Sequence, residues 1–157
     1  MEMNRVCLEG EKYCQKVKEM VRMMDKLETI EQSRVFFEND RYATMSGAKI
    51  LEVGDKTAKC SIRLQDMHRN AVGGIMGGVY FTLADFTFAV ATNRQGIPTV
   101  SLNANIAFMA SAKGEELIAT ARCVKDGRTT CFYEVDITDE HGNRLVVVTI
   151  TGFKLDK

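Results

Sequence analysis

The sequence predicts an α+β domain with one antiparallel sheet and one central helix. Three observations carry this. Two stretches from residue 48 onward alternate apolar and polar side chains around a glycine-containing turn. Four more strand-like runs occupy residues 99 to 153. Between the two groups lies "NAVGGIMGGVYFTLADFTFAVATN", residues 70 to 93, which opens with two glycine pairs and continues as an almost wholly apolar segment. With 157 residues, the chain is long enough for one real core and short for two ordinary domains.

In chain order, residues 11 to 40 are charged and helix-prone. Tyr13, Val17, Met20, Met24 and Leu27 recur every three or four residues and give one apolar stripe. A second helical stretch, 28 to 39, presents Ile30, Val35, Phe36 and Phe37. Residues 1 to 34 are read as an N-terminal helical extension and 35 to 157 as the main domain. Ala48 to Val53 and Thr57 to Leu64 form a hairpin, with Gly54-Asp55 as its turn signal. The later strands are Thr99 to Met109, Glu116 to Lys125, Arg128 to Thr138 and Asn143 to Phe153. Asp126-Gly127 reads as a two-residue turn, His141-Gly142-Asn143 as a looser one, and Pro98 as the loop that enters a strand.

Composition removes several classes of function. Twenty-one Lys and Arg balance 21 Asp and Glu, and no basic run suggests nucleic acid or a membrane surface. Five widely spaced cysteines, without a CxxC pair and with only two histidines, argue against a zinc site or a disulfide framework. They read as reduced thiols, those in strands serving as small core residues. The charged N-terminus lacks a signal-peptide core, and no apolar run reaches membrane-spanning length, so a cytoplasmic protein is expected.

The central segment carries the chemistry. Residues 77 to 92 are apolar around most of a helix, which therefore needs cover on most faces. Gly73, Gly74, Gly77 and Gly78 suit a leading loop and first turn better than a helix interior. A helix start leaves four N–H groups unpaired and carries a partial positive charge, which suits an oxyanion or carbonyl. Close packing of the helix start accounts for the glycines equally well. The spacing does not match G-x-G-x-x-G, and no parallel βαβ unit surrounds it. Asp85 stands alone in the apolar segment, past the reach of helix capping. It is either a core residue with a hydrogen-bonding partner or a base or nucleophile in a desolvated cleft. Asn70 either shapes the loop or orients a water or carbonyl.

The stretch "HRNAVGGIMGGVYFTLADFTFAVATN", followed by "TVSLNANIAFMASAKGEELIATA", resembles the hotdog-fold thioesterases, in particular the phenylacetic-acid-type acyl-CoA thioesterases. Their motif is roughly N-x-x-G-x-x-H-G-G, then L-x-D in the helix, and the likeness runs from about Val35 to Phe153. The resemblance implies a hotdog fold, an antiparallel sheet wrapped around the helix at about Gly77–Thr92. It places Asn70 on the motif asparagine, Gly77 on the glycine whose N–H polarises the thioester carbonyl, and Asp85 on the catalytic acid. Ser101 falls on the residue that helps place the attacking water. Met76 and Gly78 would contact substrate, but Met76 stands where the family has histidine and can neither donate that hydrogen bond nor titrate near neutral pH. That departure leaves a non-catalytic acyl-CoA-binding protein as the rival. A dehydratase would need a histidine paired with the acid, and His68 lies outside the helix start.

Eight residues separate Gly77 from Asp85, roughly 12 Å along a helix at about 1.5 Å per residue. Both must reach one carbonyl, which a single helix cannot arrange. Two antiparallel copies can. The resemblance therefore implies a homodimer with shared active sites, paired into a homotetramer. No metal or redox cofactor is implied. Lys125 and Arg128, flanking the Asp126-Gly127 turn, are either solvated turn charges or candidates for the phosphates of coenzyme A.

Overall fold

The computed structural model describes residues 26–155. The expected stripe through Tyr13, Val17, Met20 and Met24 lies outside the described residues. Thr29 begins the first helix, α1 (Ile30–Phe37), with a reciprocal cap. Its hydroxyl accepts from the Gln32 N–H at 3.1 Å, and the Gln32 side-chain oxygen accepts from the Thr29 N–H at 3.1 Å. Where one helix through residue 39 was expected, the chain breaks and restarts as α2 (Arg41–Met45). Phe37 enters the core, Ile30 and Phe36 pack partly against it, and Val35 is exposed. Residues 34 and 35 both lie within α1, whose Ser33 and Phe37 are buried.

Six strands follow: β1 (Ala48–Gly54), β2 (Thr57–Arg63), β3 (Thr99–Phe108), β4 (Glu116–Asp126), β5 (Thr130–Asp139) and β6 (Arg144–Lys154). They form one sheet in the order β1-β2-β4-β5-β6-β3, with every neighbouring pair antiparallel. The helix α3 (Gly77–Asn93) lies against the sheet, as the sequence led one to expect. Leu83, Phe88 and Val90 of the helix meet Ile62, Leu117, Val135, Val148 and Ile150 of the sheet, all fully buried or nearly so. Alternation along β5 and β6 sends one face of each strand to the helix and the other outward, where Arg122, Glu134, Arg144 and Asp136 form an ion-pair network.

Both hairpin turns differ in detail from the sequence reading. In the first, Gly54 is the last paired residue of β1, so Asp55-Lys56 makes the turn, and Lys56 takes φ +54°. Gly54 is small for a different reason: a Cβ there would lie 2.4 Å from Thr57 Oγ1. In the second, three residues connect the strands, 127 to 129. Gly127 donates its N–H to the Thr130 carbonyl at 2.8 Å, and a Cβ would stand 2.9 Å from that same oxygen. Of the cysteines described, Cys60 and Cys131 are buried and Cys123 half-buried, all as free thiols.

The far end of α3 is tied down by Arg94, a buried cation at a helix C-terminus. Its guanidinium donates to the Gly54 carbonyl at 2.8 Å and the Glu28 carbonyl at 3.2 Å, and its own carbonyl accepts from the Leu27 N–H at 2.8 Å. One residue thus joins the helix end to the first hairpin and to the segment before α1.

The core has no spare volume opposite Phe88. A Cβ on Gly152 would meet Phe88 Cζ at 2.7 Å, Cys131 Sγ at 2.8 Å and Thr99 Cγ2 at 2.8 Å. Gly152→Ala should cost about 1–3 kcal/mol by overpacking. That corresponds to a fall of roughly 3–10 °C in the thermal midpoint for a chain of this size, measurable by circular dichroism. An unchanged midpoint would show that the sheet relaxes there freely.

Candidate functional site

The loop before α3 is built as a small closed ladder. A 3₁₀ turn, Asp66–His68, leads into it, and Arg69 bridges Ile75 antiparallel. The Met76 N–H donates to the His68 carbonyl at 2.9 Å, and the Asn70 N–H to the Gly74 carbonyl at 2.7 Å. At its tip Gly73 takes φ +83°, a conformation that favours glycine. The Asn70 side-chain oxygen accepts from the N–H groups of Val72 at 3.1 Å and Gly74 at 3.0 Å. Asn70 therefore shapes the loop, and what it can still offer a ligand is its amide donor.

His68 anchors this loop from behind. It is buried; its Nδ1 accepts from the Gln65 N–H at 2.9 Å, so Nε2, 3.0 Å from the Ser46 carbonyl, is the protonated nitrogen. Both ring nitrogens are spent on the backbone. This histidine holds α2 and the loop together and does not face the helix start.

The first turn of α3 is open. Met76 occupies the N-cap position with no side-chain hydrogen bond, leaving the N–H groups of Gly77 and Gly78 without a capping side chain. Gly78 is exposed, and Met76 is half-exposed with its terminal methyl 2.7 Å from where a Gly78 Cβ would be. Gly77 lies under the Phe108 ring, with only 3.1 Å between Cζ and a Cβ built on it. Beside this start is a cleft of about 690 Å³ lined by Asn70, Gly73 and Gly74 on one wall and by the segment 109–114 on the other. Tyr80 and Phe108, packed edge to face, line it too. Burial pushes the Tyr80 phenol above its ordinary range.

Asp85 is on the same helix, outside that cleft. Gly78, Phe81, Thr82, Asp85 and Ala89 make a stripe at helical spacing that the sheet leaves partly or fully uncovered. The Ser101 hydroxyl donates to Asp85 Oδ1 at 2.8 Å. Ser101 reaches the helix because the β3 register shifts between Ser101 and Asn103, which leaves Ser101 opposite Gly152 on the inner face. Asp40, at the start of α2, has its carboxyl raised above the ordinary range, first by burial and also by the charge of Asp85. The structure thus brings Asp85 together with Ser101, and sets Asn70 and Gly77 beside a cleft, as two separate halves.

Lys125 and Arg128 are exposed at the β4–β5 turn. The neighbouring Asp126 lines a smaller hollow with Thr92 near the C-terminal end of α3, away from Gly77. Sequence reasoning missed Tyr80, Phe108, Arg69 and Lys113 of the cleft, and Asp40 beside Asp85. Only Arg69, next to Asn70, carried a local signal. Among the described residues, no group of three or more His, Cys, Asp or Glu could hold a metal, and no helix is long and apolar enough to cross a membrane.

Residues 72–146 match the family described as the thioesterase superfamily. The chain is similar to acyl-coenzyme A thioesterase 13 of Homo sapiens, with 37% identity over 90 residues. That match covers 55% of this chain and 64% of the human protein, so the chain spans less than two thirds of that relative. It is also similar to the Escherichia coli PaaI protein from the phenylacetic acid degradation operon. The TM-score there is 0.74 at 25% identity, covering 78% of this chain and 89% of that one. A hypothetical thioesterase protein of Streptococcus pneumoniae, solved with coenzyme A, superposes with a TM-score of 0.70 at 26% identity, over 77% of this chain and 98% of that one.

Replacing His68 by Ala should remove the bonds that the Gln65 N–H and the Ser46 carbonyl make to its ring, at a cost of about 1–3 kcal/mol for the two together. The thermal midpoint of His68→Ala should drop by about 4 °C or more. A variant as stable as wild type would remove His68 as the loop's anchor.

Proposed function

We propose that this hotdog-fold chain, whose residues 72–146 match the thioesterase superfamily, is an acyl-CoA thioesterase, hydrolysing a thioester to a free acid and coenzyme A. The observation that carries the reading is the Ser101–Asp85 hydrogen bond, 2.8 Å long, on the one stripe of α3 that the fold leaves uncovered. Burying an unpaired carboxylate costs several kcal/mol. A carboxylate held by a serine at the border of core and solvent is instead available to react.

In this reading the thioester carbonyl rests on the Gly77 N–H at the positive end of α3, with the Asn70 amide as a second donor. Asp85 takes the proton from a water that attacks the carbonyl carbon, or attacks the carbon itself to give an acyl anhydride that water then hydrolyses to the free acid and the regenerated carboxylate. Ser101 orients the carboxylate and the water. The C–S bond breaks as the oxyanion collapses, and the thiolate leaves with a proton. One backbone donor aimed at the oxyanion is worth about 2.7–4 kcal/mol in comparable sites.

The two halves meet only between copies. Gly77 and Asp85 stand roughly 12 Å apart along α3, which is rigid over that length. The edge strand β3 has one side unpaired, and Val100, Leu102 and Phe108 are exposed along it. A two-fold dimer with adjacent antiparallel α3 helices would cover the open stripe. It would also set Asp85 and Ser101 of one copy against Asn70 and Gly77 of the other. The same reading pairs dimers into homotetramers, in the cytoplasm, without a bound cofactor.

A non-catalytic acyl-CoA-binding protein is the second reading, favoured by Met76, which brings no polar group to the helix start. Hydrolysis of an acyl-CoA panel, followed by thiol release, separates the two. Turnover supports the enzyme, and tight binding without turnover supports the rival.

Asp85→Asn should keep the thermal midpoint near that of wild type and lower turnover at least about a hundredfold. A stable variant that retains most of its turnover would remove Asp85 from the chemistry. Asn70→Ala and Asp85→Ala, each inactive alone, should complement when refolded together. Half of randomly paired dimers are mixed, and each mixed dimer has one intact site of two, so roughly a quarter of wild-type activity should return. Mixed dimers that stay inactive would rule out a shared site.

A further inference from the structure

The chain enters the described fold beside the second edge of the sheet, strand β1. Arg94 fixes the point of entry. Its carbonyl accepts from the Leu27 N–H at 2.8 Å, and its guanidinium bonds the carbonyls of Glu28 at 3.2 Å and Gly54 at 2.8 Å. Glu28 therefore stands at the Gly54 end of β1. From there α1 runs along the strand, because Arg34 reaches the Ile50 carbonyl through Nε at 3.2 Å and Nη2 at 3.0 Å. A sheet edge invites pairing with another chain unless something covers it.

A hollow of about 360 Å³ lies between α1, α2 and this edge. Phe37, Ile50, Leu51 and Phe86 line it, with Arg34 and Glu38 beside them. The register shift between Ile50 and Glu52 leaves Leu51 without a cross-strand partner and 38% exposed. Glu31, Val35 and Glu38 share one exposed face of α1 at helical spacing, and Val35 is 66% exposed. Charge there is one-sided. Between residues 28 and 40, Glu28, Glu31, Glu38 and Asp40 stand against one cation, Arg34. None of the four acids has an ion pair among the described residues.

Residues 11 to 24 supply the complement. Tyr13, Val17, Met20 and Met24 recur at helical spacing, and Lys12, Lys16, Lys18 and Arg22 stand against two acids, Glu11 and Glu19. At about 1.5 Å per residue the segment makes about 21 Å of helix against about 12 Å for α1, enough to run its length and continue beside α2. Residues 25 to 29 are long enough for the turn between two antiparallel helices.

We propose that residues 11–24 dock as a helix in this groove, antiparallel to α1, with Val17 and Met20 over the hollow and Lys12 and Lys16 toward Glu38. The segment covers the β1 edge of its own chain and braces α2, at whose start Asp40 stands.

The test is made on the full chain. Val17→Asp, Met20→Asp should lower the thermal midpoint by roughly 3–8 °C and speed amide exchange in α1 and β1 at least about tenfold, leaving β5 and β6 unchanged. Gln15→Asp, Arg22→Asp, which puts acids on the opposite face of the same segment, should change neither. Unaltered exchange in α1 and β1, or the same change in both double variants, overturns the proposal. Protection of α1 and β1 in wild type that falls on dilution would put a second copy in the groove, and also overturns it. Should Val17→Asp, Met20→Asp fail to fold, cross-linking reads the same contact. Met20→Cys with Leu51→Cys should be joined within one chain by a short bis-maleimide, as mapped by peptide mass, and Gln15→Cys with Leu51→Cys should not. A link between two chains, no link, or equal linking in the second pair overturns the proposal.

Discussion

The need to cover α3 governs this fold. The helix is apolar around nearly its whole circumference, and exposing it would leave many large side chains in water. Six antiparallel strands curl against it and bury Leu83, Phe86, Phe88 and Val90, while α1 adds Phe37 edge to face on Phe86. Gly152 lets the sheet approach Phe88, and Arg94 closes the helix end. One stripe escapes this cover. It is also the stripe that carries Asp85, so the least protected face of the core helix coincides with its one acid.

The start of the helix answers a different demand. A substrate carbonyl can use the free N–H groups of a helix only where no side chain caps them and none crowds them. Methionine at the N-cap meets the first condition, and glycine at the next two positions makes room beneath the Phe108 ring and the Met76 methyl. The loop in front is then held by bonds that leave the N–H groups free. Asn70 closes its tip, His68 ties its base to α2, and Gly73 supplies the left-handed turn. Rigidity there comes from the backbone pairing of the loop and not from burial, since most of its residues are exposed.

Charge is divided in the same economical way. Lys56, Lys59, Arg63, Arg122, Arg144 and Lys154 are paired with acids on the sheet or at its turns, and Asp139 and Glu140 accept from backbone N–H groups. Arg69, with the exposed Asp66 at 3.9 Å, and Lys113 stand on either side of the cleft. Asp40 shares the surroundings of Asp85 and feels its charge. The local field around the candidate site is therefore set by residues from four separate segments.

Periodicity was enough to read the strands, the central helix and their order, because alternation and turn residues are local properties of the chain. The unusual residues of α3 were legible for the same reason: a lone acid and paired glycines break a pattern that their neighbours establish. Local pattern did not show that Gly54 and Gly127 are small to admit Thr57 and the Thr130 carbonyl, since those contacts depend on strand register. It did not show the partner of Asp85 either. Ser101 meets it only because a register shift in β3 leaves that residue on the inner face. The cleft joins residues as far apart in sequence as Arg69 and Lys113, and no spacing rule links them. Side-chain type and period determine what each segment becomes; which segments face one another follows from how the sheet closes on the helix, a choice made by packing.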